Sequence, residues 1–134
     1  MSNLRTMSPA PTRIIRVCVA VIGAISLGAG LWAMIAPHSF YAQAATFPPY
    51  NRHFIHDIGA FQTGLGSCLI AALAFTDALL VVLIGNALGG IAHFAGHVAD
   101  RSISGQSSDP FTFGALAILL VVLTVVRWRT LAPD

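Results

Sequence analysis

"ALLVVLIGNALGGIAHFAGHVA", Ala78 to Ala99, decides the class of this chain. It holds no charged residue, one amide at Asn86, and two histidines close to its end. About 20 mostly apolar residues suffice to cross a bilayer as a helix. Hydrocarbon offers the backbone no hydrogen-bond partner, so such a run must satisfy itself as a helix.

Three further runs repeat the pattern. "IIRVCVAVIGAISLGAGLWAMIA" covers Ile14 to Ala36 and is ended by Pro37. A second run extends from Phe54 to Phe75, and "FTFGALAILLVVLTVV" from Phe111 to Val126. The expected fold is all-α, a four-helix antiparallel transmembrane bundle. Helices are expected over about 14–36, 54–75, 78–99 and 110–128. They form one domain, 14–129, between a loose 1–13 tail and a 130–134 tail. Composition agrees: 56% of residues are hydrophobic and 9% charged, and there is no Lys or Glu. A soluble chain carries roughly 25% charged residues. A net charge of +2 with no aromatic-laced basic stripe excludes a nucleic-acid binder. The expected surroundings are a cell membrane, crossed several times, with a membrane-protein partner or second copy as further company.

Local signals place the ends. Asp77 suits the N-cap of the third helix, and Asp109 with Pro110 suits the start of the fourth. Trp32 and Trp128 sit near segment ends, where amphipathic rings favour the interface. Arg5, Arg13, Arg16, Arg127 and Arg129 flank the outermost ends of the pattern, against Arg52 and Arg101 in the other loops. Five against two puts both termini in the cytoplasm. "AQA" at Ala42–Ala44 superficially suits signal-peptide cleavage, but the apolar core of the first run is too long for one. Cys18 and Cys68 read as small core residues, far apart and without a C-x-x-C pattern.

On this topology every histidine falls in the outer leaflet or just above it, His93 about one turn deeper than His97. His38 follows the first helix, His53 and His56 open the second, and His93 and His97 close the third. The short Thr76–Asp77 turn makes the second and third helices antiparallel neighbours. Counting outward from it, His56 stands level with His97, Asp57 with Gly96, and His53 with Asp100. Gly85, Gly89, His93 and His97 recur every fourth residue, and Gly64 and Cys68 continue a small face on the second helix. Such small faces let helices approach closely. The expectation is a tight hairpin that gathers His56 or Asp57 against His93 and His97.

Ionisable groups in a membrane suggest a functional site. The candidate ligand-binding residues are His53, His56, Asp57, His93, His97, Tyr50 and Asn51, with "FPPYN" (Phe47–Asn51) as a covering loop. Three readings stand. The cluster pins the helices together structurally. Or it binds a small molecule such as a quinone, or handles protons, since a carboxylate can fix an imidazole's tautomer. Or His93, His97, His56 and Asp57 hold a metal ion or haem, His93 and His97 being a chelating i, i+4 pair. Asn86 and Gln62 are expected to bond between helices, Arg52 to pair with Asp100, and Arg101 with Asp109.

"PHSFY" at Pro37–Tyr41, "PYNRHFIHDIGAFQTGLG" at Pro49–Gly66 and "AHFAGHVAD" at Ala92–Asp100 carry a resemblance. They resemble a group of small actinobacterial four-helix integral membrane proteins related to the DoxX-like superfamily. The resemblance covers about two-thirds of the chain. It implies a four-helix membrane bundle and an accessory subunit linked to quinone or thiol redox chemistry. The group brings no activity of its own.

Overall fold

The computed structural model describes residues 9–75, 78–103 and 105–131, with side chains from Thr12 onward. Five helices follow one another: α1 (Pro9–Ile35), α2 (Pro37–Gln43), α3 (Arg52–Ala71), α4 (Leu79–Ala99) and α5 (Asp109–Leu131). No strand occurs among the described residues. Arg5 and Asp77, used above for orientation and capping, lie outside them.

Pro37 explains the first boundary. A proline disfavours helical backbone at the residue before it, and itself fits a helix's first turn. The chain therefore breaks at Ala36 and resumes as α2, a short helix within the expected Pro37–His53 loop. Helix α1 also begins at Pro9, earlier than the expected 14, so part of the supposed tail is helical. Helix α3 is offset toward the N-terminus, covering 52–71 where 54–75 was expected. Asn51 sets that start: its Oδ1 accepts a hydrogen bond from the Phe54 N–H at 3.2 Å.

Three helices are long and apolar enough to cross a membrane among the described residues: Thr12–Ile35, Leu79–Ala99 and Asp109–Leu131. Helix α3, which carries Arg52 and Asp57, is not among them.

Glycines decide which helices pair. Gly23 and Gly30 on α1 face Gly59, Thr63, Gly66 and Leu69 on α3 so closely that an added methyl would strike the opposing chain. Missing side chains let the two backbones touch, which is how helices associate where lipid competes for apolar contact. Helices α4 and α5 pair similarly: Gly90 faces Ala117 and Leu120, and Gly114 lies under the Phe94 ring.

The tight α3–α4 hairpin expected from the sequence is therefore corrected. The close partner of α3 is α1, and α4 turns instead to α5. Gly64, Gly85 and Gly89, the small faces assigned to that hairpin, have nothing within 4 Å of where a methyl would stand. The helical repeat gives the reason. A spacing of four advances about 400°, a drift of about 40° per step. From Gly85 to His97 the stripe turns by about 120°, so its glycines and its histidines occupy different faces.

The α1–α3 and α4–α5 pairs join through one shared core: Ile15, Val19 and Ile22, Leu69 and Ala72, Leu79, Leu83 and Ala87, Leu120 and Leu123. That core lies at the end where α1 begins and α5 ends, the termini-bearing end. No residue of α4 after Ala87, and none of α5 before Ala117, is buried. At the opposite end a second cluster, Ala33, Phe40, Ala45 and Ile55, ties α2 to α1 and α3 only. There a long hydrogen bond runs between the pairs, from Gln106 Nε2 to the Gln43 carbonyl at 3.5 Å.

Candidate functional site

The histidines sort to the same end of the molecule but divide into separate groups. On α3, His53 Nε2 lies 3.7 Å from Asp57 Oδ2, with the side chains 88% and 51% exposed. His56 is one residue round. About 100° per residue puts it roughly 140° and 160° away from Leu69 and Ala72, which meet α4 in the shared core. Its Nε2 is buried without a hydrogen-bond partner among the described residues. Tyr50 packs edge-on to His38 at 5.4 Å and to Tyr41 at 5.1 Å between ring centres. Phe47 packs edge-on to Phe54. Asn51 is engaged in capping α3.

The other group lies between α4 and α5. His97 stacks on Phe113, ring centres 4.4 Å apart and planes 23° from parallel. His93 meets both rings edge-on, at 4.7 Å from His97 and 4.3 Å from Phe113. His97 Nδ1 lies 3.7 Å from Asp109 Oδ2, with the two side chains only 25% and 18% exposed. Asp109 is held from behind: its Oδ2 accepts the Gln106 N–H at 2.8 Å, while its own N–H donates to the Gln106 carbonyl at 3.0 Å. Gly105 makes that turn possible. Its φ is +95°, a conformation L side chains rarely adopt, and a methyl there would stand 3.0 Å from Asp109 Oδ2.

A cavity of about 170 Å³ opens beside this group, lined by His97, Arg101, Gly105, Gln106, Ser107 and Pro110. Its wall presents an imidazole, a guanidinium, an amide and a hydroxyl. Groups of these kinds can donate hydrogen bonds to oxygen atoms, and Asp109 Oδ2 stands 3.7 Å from His97 Nδ1.

The expected gathering of His56 and Asp57 with His93 and His97 is thus not the arrangement found. Each pair has its own partners, and no three His, Cys, Asp or Glu side chains come together to hold a metal among the described residues. Of the four residues offered as metal ligands, only His93 and His97 touch. Asp109 faces His97 and the Gln106 N–H, and no ion pair with Arg101 is formed. Asn86 Nδ2 donates to the Val82 carbonyl of its own helix at 3.0 Å rather than across helices. Cys18 and Cys68 are free, and Cys68 is exposed.

Asp109, Phe113 and Gln106 were not read as site residues from the sequence. A signal existed. The loop between α4 and α5 is short, so the first turn of α5 must return beside the last turn of α4. Asp109 and Phe113, spaced by four, then share the face that meets His97.

These features define an all-helical protein with three apolar helices of membrane-crossing length and a half-sheltered imidazole–carboxylate site at the mouth of one helix pair. Comparison with family profiles, curated proteins and solved structures finds no match.

Proposed function

We propose that the chain is a multi-pass cell-membrane protein with four antiparallel spans and cytoplasmic termini. Its outward-facing α4–α5 site binds a small molecule. The fourth span is α3. It lies against α1 from Ile55 beside Ala33 to Leu69 beside Gly23, and in the turn that follows the Leu73 carbonyl accepts a hydrogen bond from Arg16 at 2.8 Å. A helix that flanks an apolar span over that length shares its depth. Orientation rests on Arg13, Arg16, Arg127 and Arg129 at one end against Arg52 and Arg101 at the other.

The observation that carries the binding reading is His97, stacked on Phe113, braced by Asp109 and bordering the cavity with Arg101. A quinone head group meets these terms. Its carbonyl oxygens accept hydrogen bonds, its ring stacks, and an apolar tail can leave between the helix pairs at the end where they share no buried cluster. The proposal is an accessory, redox-linked binding subunit, in keeping with the DoxX-like resemblance. Metal or haem binding is the less supported alternative, because its ligands do not assemble.

Extraction of the protein in mild detergent tests this, with mass spectrometry, metal analysis and a visible spectrum of what co-purifies. An organic ring compound is expected with the native chain and with His53→Ala, but not with His97→Ala. A stoichiometric metal or a Soret band would overturn the proposal in favour of the alternative. A short-chain quinone that binds native and His97→Ala protein equally would overturn the site assignment.

A further inference from the structure

Among the described residues, which do not include Asp77 and Asp134, charge is distributed unevenly between the two ends of the molecule. Every carboxylate among the described residues, Asp57, Asp100 and Asp109, belongs to the histidine-bearing end. The termini-bearing end has Arg13 and Arg16 on α1 and Arg127 and Arg129 on α5. They are brought to one level by the core. Ile15 and Leu123 belong to the same buried cluster, Arg13 and Arg16 flank Ile15 within a turn, and Arg127 lies one turn beyond Leu123.

The four differ in what they do. Arg16 donates to the Leu73 carbonyl in the turn just past the C-terminus of α3, where the helix dipole gathers negative charge. Arg127 is only 9% exposed. Arg13 and Arg129 are exposed, and no described carboxylate pairs with them. Arg13 and Arg129 are thus the exposed pair of the four, close to the ends of two helices long and apolar enough to cross a membrane.

We propose that this end binds the phosphate of an anionic phospholipid headgroup, with Arg13 and Arg129 as the exposed contacts. A guanidinium suits the task, because its planar fork of N–H donors matches phosphate oxygens. The inference is independent of the histidine site and survives if that site is empty of function.

Native mass spectrometry of the detergent-extracted full chain tests it, titrating phosphatidylglycerol against phosphatidylcholine of identical acyl chains. Phosphatidylglycerol is expected to bind preferentially. A membrane-proximal arginine contributes roughly fivefold in affinity for an anionic surface, so the Arg13→Gln/Arg129→Gln double variant should weaken that binding about 25-fold. His97→Ala should leave it unchanged. The native chain supplies a second readout, since affinity for the charged headgroup should fall as salt rises. Equal binding of the two lipids, undiminished binding by the double variant, or salt-independent affinity would overturn the proposal. Displacement of the lipid by millimolar inorganic phosphate would overturn the choice of a lipid over a free phosphate compound.

Discussion

The half of the molecule that carries the termini and the half that carries the histidines are built from the same four long helices, yet only the first shares one core. At the termini-bearing end Ile15, Leu69, Leu83 and Leu120 bring all four helices together. At the other, α1 and α3 pack with α2 in a second cluster to which α4 and α5 contribute no residue. The shared core and the proposed binding site thereby fall in different halves. A site between helices that are not locked to the rest can admit a ligand without opening the core.

The sharpest way to break this contrast is to remove a side chain from each half. Leu83 is fully buried where the helix pairs join, and Leu88 is 64% exposed little more than one turn further along α4. Truncating a buried leucine costs about 2–5 kcal/mol in soluble cores. In lipid the transfer component shrinks, because acyl chains are themselves apolar, but lost packing remains. Leu83→Ala should therefore cost about 2 kcal/mol or more, with Leu88→Ala near zero. Unfolding of both variants in mixed micelles gives the comparison. Equal losses would show that the two halves share one core after all.

Glycines offer a second contrast. A side chain at Gly66 would strike the Leu27 backbone of α1, whereas one at Gly85 meets nothing within 4 Å. Overpacking of this kind costs about 1–3 kcal/mol. Gly66→Ala should destabilise by that amount. Gly85→Ala should stabilise by up to about 1 kcal/mol, because alanine is the better helix former. Thermal unfolding of the two variants reads the opposite signs. A loss at Gly85 would mean that α4 uses its open face for a partner.

The same glycines show how much was legible in the sequence. Apolar run length located four long helices to within a few residues, three of them long and apolar enough to cross a membrane. Pairing was misread. Small residues occur on both faces of α3 and α4, and an i, i+4 pattern does not reveal which face closes. The usable information was the seven-residue spacing, Gly23 with Gly30 and Gly59 with Gly66, which returns to nearly the same face every two turns. His93 and His97 were legible as a pair. Their true companions, Phe113 and Asp109, come from α5 and became neighbours only through the pairing that was misread. Asn51 was expected at the site, and its capping of α3 was missed. The order Asn51 followed by a helical run held that signal.

Within the α4–α5 site, Gly105 sharpens the contrast further. Its positive φ aims the Gln106 N–H at Asp109. Gly105→Ala forces an L side chain into that conformation, at a cost of about 1–2 kcal/mol. The loss should come with weaker ligand retention, since Asp109 braces His97. A Gly105→Ala protein that holds its co-purifying molecule unchanged would separate the loop from the site.

The smallest expected effect is the most discriminating. Both imidazole–carboxylate contacts measure 3.7 Å, so distance alone ranks them equal. Surroundings do not. The His53–Asp57 pair stands in the open, where such contacts contribute about 0–1 kcal/mol and salt screens them. His97 also has an aromatic stack, and contacts of that kind contribute about 0.5–1.5 kcal/mol beyond buried area. His53→Ala should thus change stability by less than about 0.5 kcal/mol. His97→Ala and Phe113→Ala should each cost more, and the double variant should cost less than their sum, because each single change already removes the shared stack. A double-mutant cycle by chemical unfolding decides it. Strict additivity would mean that the stack carries no energy of its own, and the two histidine groups would then differ only in exposure.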